Sequence, residues 1–394
     1  MPGKAEAERV SVTLSAAAAL DAVLLPLGFA DLTGFAGDDH RAGFALFARH
    51  AAAILSDQPV LRQALPAAKA LRAVCRLALE DPAQTRAAAQ RFFEDHFVPH
   101  RVLPAGELGP AEGFVTGYYE PVVAGSLTQT DEFRTPILSR PDDLVTLALG
   151  ETLPGLDPAL SAARALPGGS YGVYPDRAAI ESGAIVEHAK PLVWLADPVE
   201  VFFAQVQGSV RVTLPDGRQL RLAYAGRNGH PYTSIGRLLV EAGEIPADDM
   251  GLAQVKGWIR ARGQGPGEAG GGLMLRNKSY VFFAQKADLA DVEGPIGGAG
   301  LGLSPLRSIA VDRSIWSYGL PFWLAAELPW ESAMPTPFRR LMIAGDTGSA
   351  ILGPARADIF FGSGAEAGER AGSIRHGCEF IVLLPRAHYG EVGE

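Results

Sequence analysis

Only two cysteines, Cys75 and Cys378, occur in 394 residues. There is no Cys-x-x-Cys, and no four-ligand Cys/His set can be assembled, which excludes a zinc ribbon or a disulfide scaffold. Whether the two thiols pair is left open. A basic excess is also missing: 44 acidic against 35 basic residues give a net charge of −9. The chain therefore has no electrostatic footprint for nucleic acid or an anionic membrane surface. No run of 18 apolar residues exists, so no transmembrane helix is expected. The apolar stretch at 15–30 is broken by Asp21 and lacks a clear small-residue cleavage site, so it reads as part of the folded protein rather than as a secretion signal. No GxSxG, HExxH, Walker or strand-borne GxGxxG pattern stands in usable context. What remains is rich in turn formers, with 46 glycines and 29 prolines. Apolar residues make up 47 %, enough for a sizeable core in two or three domains.

The first hundred residues read as helical. Phe44, Phe47, Ala48, Ala51, Ile54 and Leu55 recur at three- and four-residue spacing, one face of a helix. A second helix is expected from near Pro66 and a third after Pro82, ended by Pro99 and Pro104; together they would brace another unit. From Gly113 the pattern turns to β-branched and aromatic residues punctuated by Gly and Pro. Residues 201–207 read as a strand. Residues 210–224 read as a hairpin around Asp216-Gly217, and a helix opens at Thr233 or Ser234 as N-cap and stops at Gly243. Another helix is expected over 247–261, a Gly-rich loop over 263–273, and strands at 279–285, 338–344 and 379–384.

Three aspartates each sit between an apolar stretch and small residues: Asp312 in VDRSIW, Asp346 in AGDTGSA and Asp358 in RADIFFG. Such an acid can be held in a cleft, where burial raises its pKa and makes it a proton donor near neutral pH; it can equally be a turn or cap residue. The Asp346-Thr347-Gly348 string also matches the aspartic protease signature, but a protease would need a second copy, so the chain would have to dimerise through it. The strings TGYYEP at 116–121 and YAGRNGHPY at 224–232 mix aromatics with Asn and Thr. That suits a sugar groove, in which rings stack on pyranose faces, and equally suits two turns with core tyrosines.

Seven strings occur in order: TGYYEP (116–121), VQGS (206–209), YAGRNGHPYTSIGR (224–237), Phe282-Phe283, DRSIWSYG (312–319), GDTGSAILG (345–353) and DIFFGSGAEAGERAG (358–372). Together they resemble the membrane-bound lytic transglycosylase A (MltA) family over roughly 110–385. The resemblance implies a mostly β protein with an α-helical N-terminal part: a double-psi β-barrel domain from residues 1–115 and 286–394, an inserted β-rich domain from 116–285, and a glycan groove between them. It implies non-hydrolytic cleavage of the β-1,4 bond between N-acetylmuramic acid and N-acetylglucosamine in peptidoglycan, leaving 1,6-anhydromuramoyl ends. The family's catalytic acid maps to Asp358, its partner to Asp346 and a supporting acid to Asp312. Tyr118, Tyr119, Gln207, Ser209, Asn228, Tyr232, Ser234, Gly348 and Ser349 are expected to bind substrate, and Ile359, Phe360 and Phe361 to supply an apolar pocket. No cofactor or metal is expected. The expected partner is a peptidoglycan strand, with cell-wall synthesis proteins as further partners and a monomer as the working unit. The location implied is the periplasm and cell envelope, with outer-membrane association; a non-catalytic wall-glycan binder is the competing class.

Overall fold

The computed structural model describes residues 22–104, 113–286 and 294–386; the start of the apolar 15–30 stretch lies outside them. Three helices form near the N-terminus: α1 (His40–Leu55), α2 (Lys69–Glu80) and α3 (Arg86–His96). Asp39 opens α1 by accepting from the Ala42 N–H at 3.2 Å, and Thr85 opens α3 by accepting from Ala88 at 3.1 Å, so each cap satisfies an N–H that has no partner within its helix. Phe44 and Phe47 on α1 meet Phe92 and Phe93 on α3 in edge-on ring contacts. The shared face packs into one core with Trp323, Leu341 and Phe380.

Those last residues belong to a closed ring of six strands. They are β1 (Gly113–Glu120), β2 (Ser308–Val311), β3 (Pro321–Leu328), β4 (Thr336–Asp346), β5 (Arg356–Ser363) and β6 (Arg375–Pro385). Around the ring the order is β6, β3, β4, β2, β5, β1 and back to β6. The pairs β2–β4 and β5–β1 are parallel and the other four antiparallel, consistent with the expected double-psi barrel. Closure removes sheet edges. The pair Ala22–Pro26 and Phe97–Pro104 joins the ring along β6.

A buried ion pair fastens the N-terminal segment to the barrel. Both oxygens of Asp38 accept from Arg307, at 2.6 and 2.8 Å, and Oδ2 also accepts from the Leu341 N–H at 2.9 Å. Arg307 further donates to the Leu341 carbonyl at 3.0 Å.

A second sheet of six strands comes from residues between β1 and β2. Its order is Val281–Lys286, Gln219–Arg227, Ser209–Thr213, Val122–Ser126, Pro191–Leu195, Thr135–Leu138. The hairpin around Asp216-Gly217 forms as read, with Gly217 at φ +83°. Two sequence expectations change. The segment read as a strand at 201–207 lies in the helix Pro198–Gln207: Asp197 caps it, Pro198 sits in its first turn, and Gly208 at φ +78° ends it. Those end signals outweigh the β-branched content, and Val199, Phe202 and Phe203 share one buried face. The Gly-rich 263–273 stretch is not a loop throughout, because the helix Ala269–Leu275 starts inside it. Gly270 there packs so closely that a Cβ would stand 2.3 Å from the Gly263 carbonyl oxygen. Strand β1 ends at Glu120. The cysteines are both buried; Cys75 is a free thiol, pushed up to about 12 by burial, so the two do not pair.

Candidate active site

Ala310 on β2 is the centre of the candidate site. Its register partner on β4 is Asp346 and on β5 is Asp358. A register shift between Ile309 and Ala310 brings Asp346 to that level, a use of a bulge common beside active sites. Beyond Asp358 the same level continues to Thr116 on β1 and then Arg375 on β6. Directly opposed residues share a face of the sheet, so the two acids stand on one wall, about 10 Å apart at Cα across two strand spacings, with a small side chain between them.

Their environments differ. Asp358 Oδ1 accepts from the Thr116 hydroxyl at 2.6 Å, and that hydroxyl accepts from Arg356 at 2.6 Å. Among the described residues the Asp358 carboxyl has no other hydrogen bond. Burial raises the Asp358 pKa and the charge of Asp346 raises it further, against Arg356 and the Thr116 bond. Burial also raises Asp346. Asp346, however, accepts three hydrogen bonds: from the Gly298 and Thr347 N–H groups at 2.8 Å each, and from the Tyr118 hydroxyl at 3.0 Å. Arg62 adds a favourable charge. Donors aimed at a carboxylate favour its ionised form. The three donors and Arg62 thus favour ionisation at Asp346 more than the single Thr116 bond and Arg356 do at Asp358. Alternation along β5 puts Phe360 on the face of Asp358, where it clusters with Tyr118, Leu303, Ala310 and Ile351. Ile359 and Phe361 point into the main core, so only one of the three expected apolar neighbours shares the wall.

Comparison with known proteins bears on this arrangement. The MltA specific insert domain matches residues 114–284 and the 3D domain matches residues 307–384. Membrane-bound lytic murein transglycosylase A of Escherichia coli (strain K12) is 33 % identical over 282 residues, covering 70 % of this chain and 67 % of that protein. A crystal structure of a membrane-bound lytic murein transglycosylase from Agrobacterium tumefaciens is 36 % identical, with a TM-score of 0.82 over 93 % of this chain and 99 % of that one. The chain belongs to the MltA family. MltA from Neisseria gonorrhoeae, 30 % identical, matches with a TM-score of 0.72 over 94 % of each chain. The curated MltA relatives are named as membrane-bound enzymes. In this member no helix of the described residues is long and apolar enough to cross a membrane.

Set in the MltA fold, the residues singled out from the sequence divide. Tyr118, Gln207 and Ser209 line a small cavity with Asp346, and Gln207 accepts from the Tyr119 N–H at 3.1 Å. Tyr232, Gly348 and Ser349 line an adjoining cavity of about 820 Å³. Asp358 stands beside these cavities rather than in their lining. Its charge is felt at Tyr232, and its Phe360 cluster includes Ile351 of the larger cavity's wall.

Four expected residues have other work. Tyr119 alternates away from Tyr118 into the main core. Asn228 is fully enclosed: its amide donates to the Pro175 and Lys278 carbonyls at 3.0 and 2.9 Å and its oxygen accepts from Tyr280 at 2.9 Å. Gly229 beside it, at φ +86°, would bring a Cβ within 2.5 Å of the Ala162 nitrogen, so this string is a backbone knot. Ser234 caps the helix Ile235–Glu241. Asp312 is buried and accepts from Ser314 (N–H 3.0 Å, hydroxyl 2.6 Å) and from Gly353 at 2.8 Å, which ties down the loop after Asp346.

Sequence reasoning missed Thr116, Arg356 and the basic wall of the larger cavity: Arg62, Arg227 and Arg313. Arg62 stacks over Tyr224 at 4.0 Å and donates to the Thr347 carbonyl at 2.6 Å.

Proposed function

We propose that the protein is a lytic transglycosylase that cleaves the β-1,4 bond between N-acetylmuramic acid and N-acetylglucosamine without water, with Asp358 as its single acid and base. The observation that carries this reading is the unequal pair: one half-buried carboxyl with a single hydrogen bond, and a second whose oxygens are occupied by three donors. A glycosidase that uses water needs a second carboxylate free to serve as nucleophile or base. Asp346 is held instead as a fixed charge.

The neutral Asp358 gives its proton to the glycosidic oxygen as the C1–O bond breaks through an oxocarbenium-like state. The C6 hydroxyl of the same muramoyl residue then attacks C1. The Asp358 carboxylate accepts the hydroxyl proton and is again neutral. Arg356, through Thr116, fixes one oxygen of Asp358 and leaves the other for this exchange. Asp346 acts as a like-charge neighbour that keeps Asp358 protonated. The chain is read as a barrel domain at both ends with an insert, the first crossing falling at Pro121, because β1 extends to Glu120.

Mass spectrometry of digested sacculi tests the reaction. Anhydro ends support it, hydrated reducing ends indicate a hydrolase, and absence of release indicates a binder. The charge relationship has its own test. A reaction that needs neutral Asp358 loses kcat/KM as pH rises through that group's raised pKa. Asp346→Asn removes the like charge, so the Asp358 pKa falls and the alkaline limb moves to lower pH. An unchanged limb in that variant's pH profile assigns the limb to another group.

A further inference from the structure

The net charge of −9 makes the wall of the larger cavity unusual. Arg62, Arg227 and Arg313 converge on it, and none forms an ion pair with a carboxylate among the described residues. The fourth arginine of the wall, Arg140, is taken up by the Ala225 and Leu144 carbonyls at 2.8 Å each and by Thr146 at 3.1 Å. The other three make few bonds. Arg62 donates to the Thr347 carbonyl, Arg313 to the Gln63 carbonyl at 2.8 Å, and Arg227 to the hydroxyls of Ser161 (3.0 Å) and Ser349. A guanidinium has five N–H donors, so each keeps several for a ligand.

Of the wall's own carboxylates, Asp312 acts favourably on Arg313 through its charge but forms no ion pair with it. Both oxygens of Asp312 are engaged by Ser314 and Gly353, and Glu151 caps the Ala148 N–H at 2.6 Å. Asp346 lies near Arg62 alone. Half-buried cations held together repel one another. Burial pushes the Arg227 guanidinium down to about 10, with Arg62 and Arg313 adding to the fall, and burial with Arg62 lowers Arg313. A fold that holds such a group at a cost is built for an anion.

We propose that Arg227 and Arg313, with Arg62 at their edge, form a subsite for carboxylates on the muramoyl substituent of the glycan strand. This rests on the peptidoglycan reading above. The sugar rings of that polymer are neutral. Its carboxylates are on the peptide attached through the lactyl ether of each muramoyl residue, or on the lactyl group itself once the peptide is removed. Arg62 lines both this cavity and the one holding Asp346 and Tyr118, so the subsite continues the groove beside the acids. Planar guanidinium forks match carboxylates in a two-point geometry.

The test is binding to the Asp358→Asn protein, by titration calorimetry, of three forms of one glycan strand: with native peptide stems, with stem carboxyls converted to carboxamides, and with stems removed to leave lactyl carboxylates. Native strands are expected to bind at least tenfold more tightly than amidated ones, and the advantage shrinks with added salt. Arg227→Gln and Arg313→Gln are expected to bring that ratio close to one, while Arg227→Lys retains part of it. Tight binding of the stripped strands identifies the lactyl carboxylate as the ligand, and weak binding identifies the peptide. An undiminished ratio in both glutamine variants, or a parent that binds neither native nor stripped strands more tightly than amidated ones, overturns the subsite. Failure of the wild-type protein to release anhydro ends from sacculi would instead overturn the reading it rests on.

Discussion

Asp358→Asn is expected to lower turnover of purified peptidoglycan by on the order of 10³-fold, within the range for removing a positioned acid–base group, while the protein still binds glycan. Asparagine keeps the shape of the side chain, and its oxygen can accept from the Thr116 hydroxyl as Oδ1 does at 2.6 Å. It cannot deliver a proton to a leaving oxygen. The loss should fall on kcat with KM little changed, measured by the rate at which soluble anhydromuropeptides appear. Thr116→Val separates chemistry from positioning. It removes both the bond to Asp358 and the acceptor for Arg356, and should cost roughly tenfold, well short of losing the acid. If Asp358→Asn turns over sacculi at the wild-type rate, the acid lies elsewhere and the single-carboxyl mechanism fails.

Asp38→Ala is expected to destabilise the protein by about 3–5 kcal/mol, the range for removing one partner of a buried ion pair. Both side chains are nearly inaccessible, 4 % exposed for Asp38 and 8 % for Arg307. The carboxylate holds two guanidinium donors and the Leu341 N–H at once, so its loss strands a buried cation and a backbone donor together. Replacing both residues by apolar ones of similar volume should recover most of the loss, since well-packed apolar residues often match such a pair. Chemical denaturation of the two single variants and the double variant measures this. A double variant as unstable as the sum of the singles would show that the pair acts through shape rather than charge.

Much of the scaffold was legible because it is written in local signals. Asp216-Gly217 between alternating apolar runs gave the hairpin, Ser234 and Gly243 marked the ends of a helix, and the Phe44 stripe gave the face of α1. The misread helix Pro198–Gln207 shows two local signals in conflict, with Asp-Pro and Gly at its ends prevailing over β-branched residues inside. For the site, sequence supplied the acids but not their environments. Tyr118 and Tyr119 are equivalent in the sequence, and only the strand's alternation sends one to Asp346 and the other into the core. Asn228 has the chemistry of a sugar ligand, yet its partners are carbonyls fifty or more residues away. Thr116 reaches Asp358 across 242 positions and Arg62 reaches Thr347 across 285. No local pattern encodes such pairings, since they arise from the order in which strands close the ring.

That closure bears on when the protein can act. Strand β6 seals two seams at once, against β3 and against β1, and β1 carries Thr116 and Tyr118. A nascent chain that stops before Arg375 leaves both neighbours with bare edges, prone to pair with other chains, and leaves the wall between Thr116 and Asp358 unbraced. Pairings this distant in sequence form late, because the entropy of closing long loops precedes their reward. The wall that carries the two acids is thus complete only once β6 has paired on both sides.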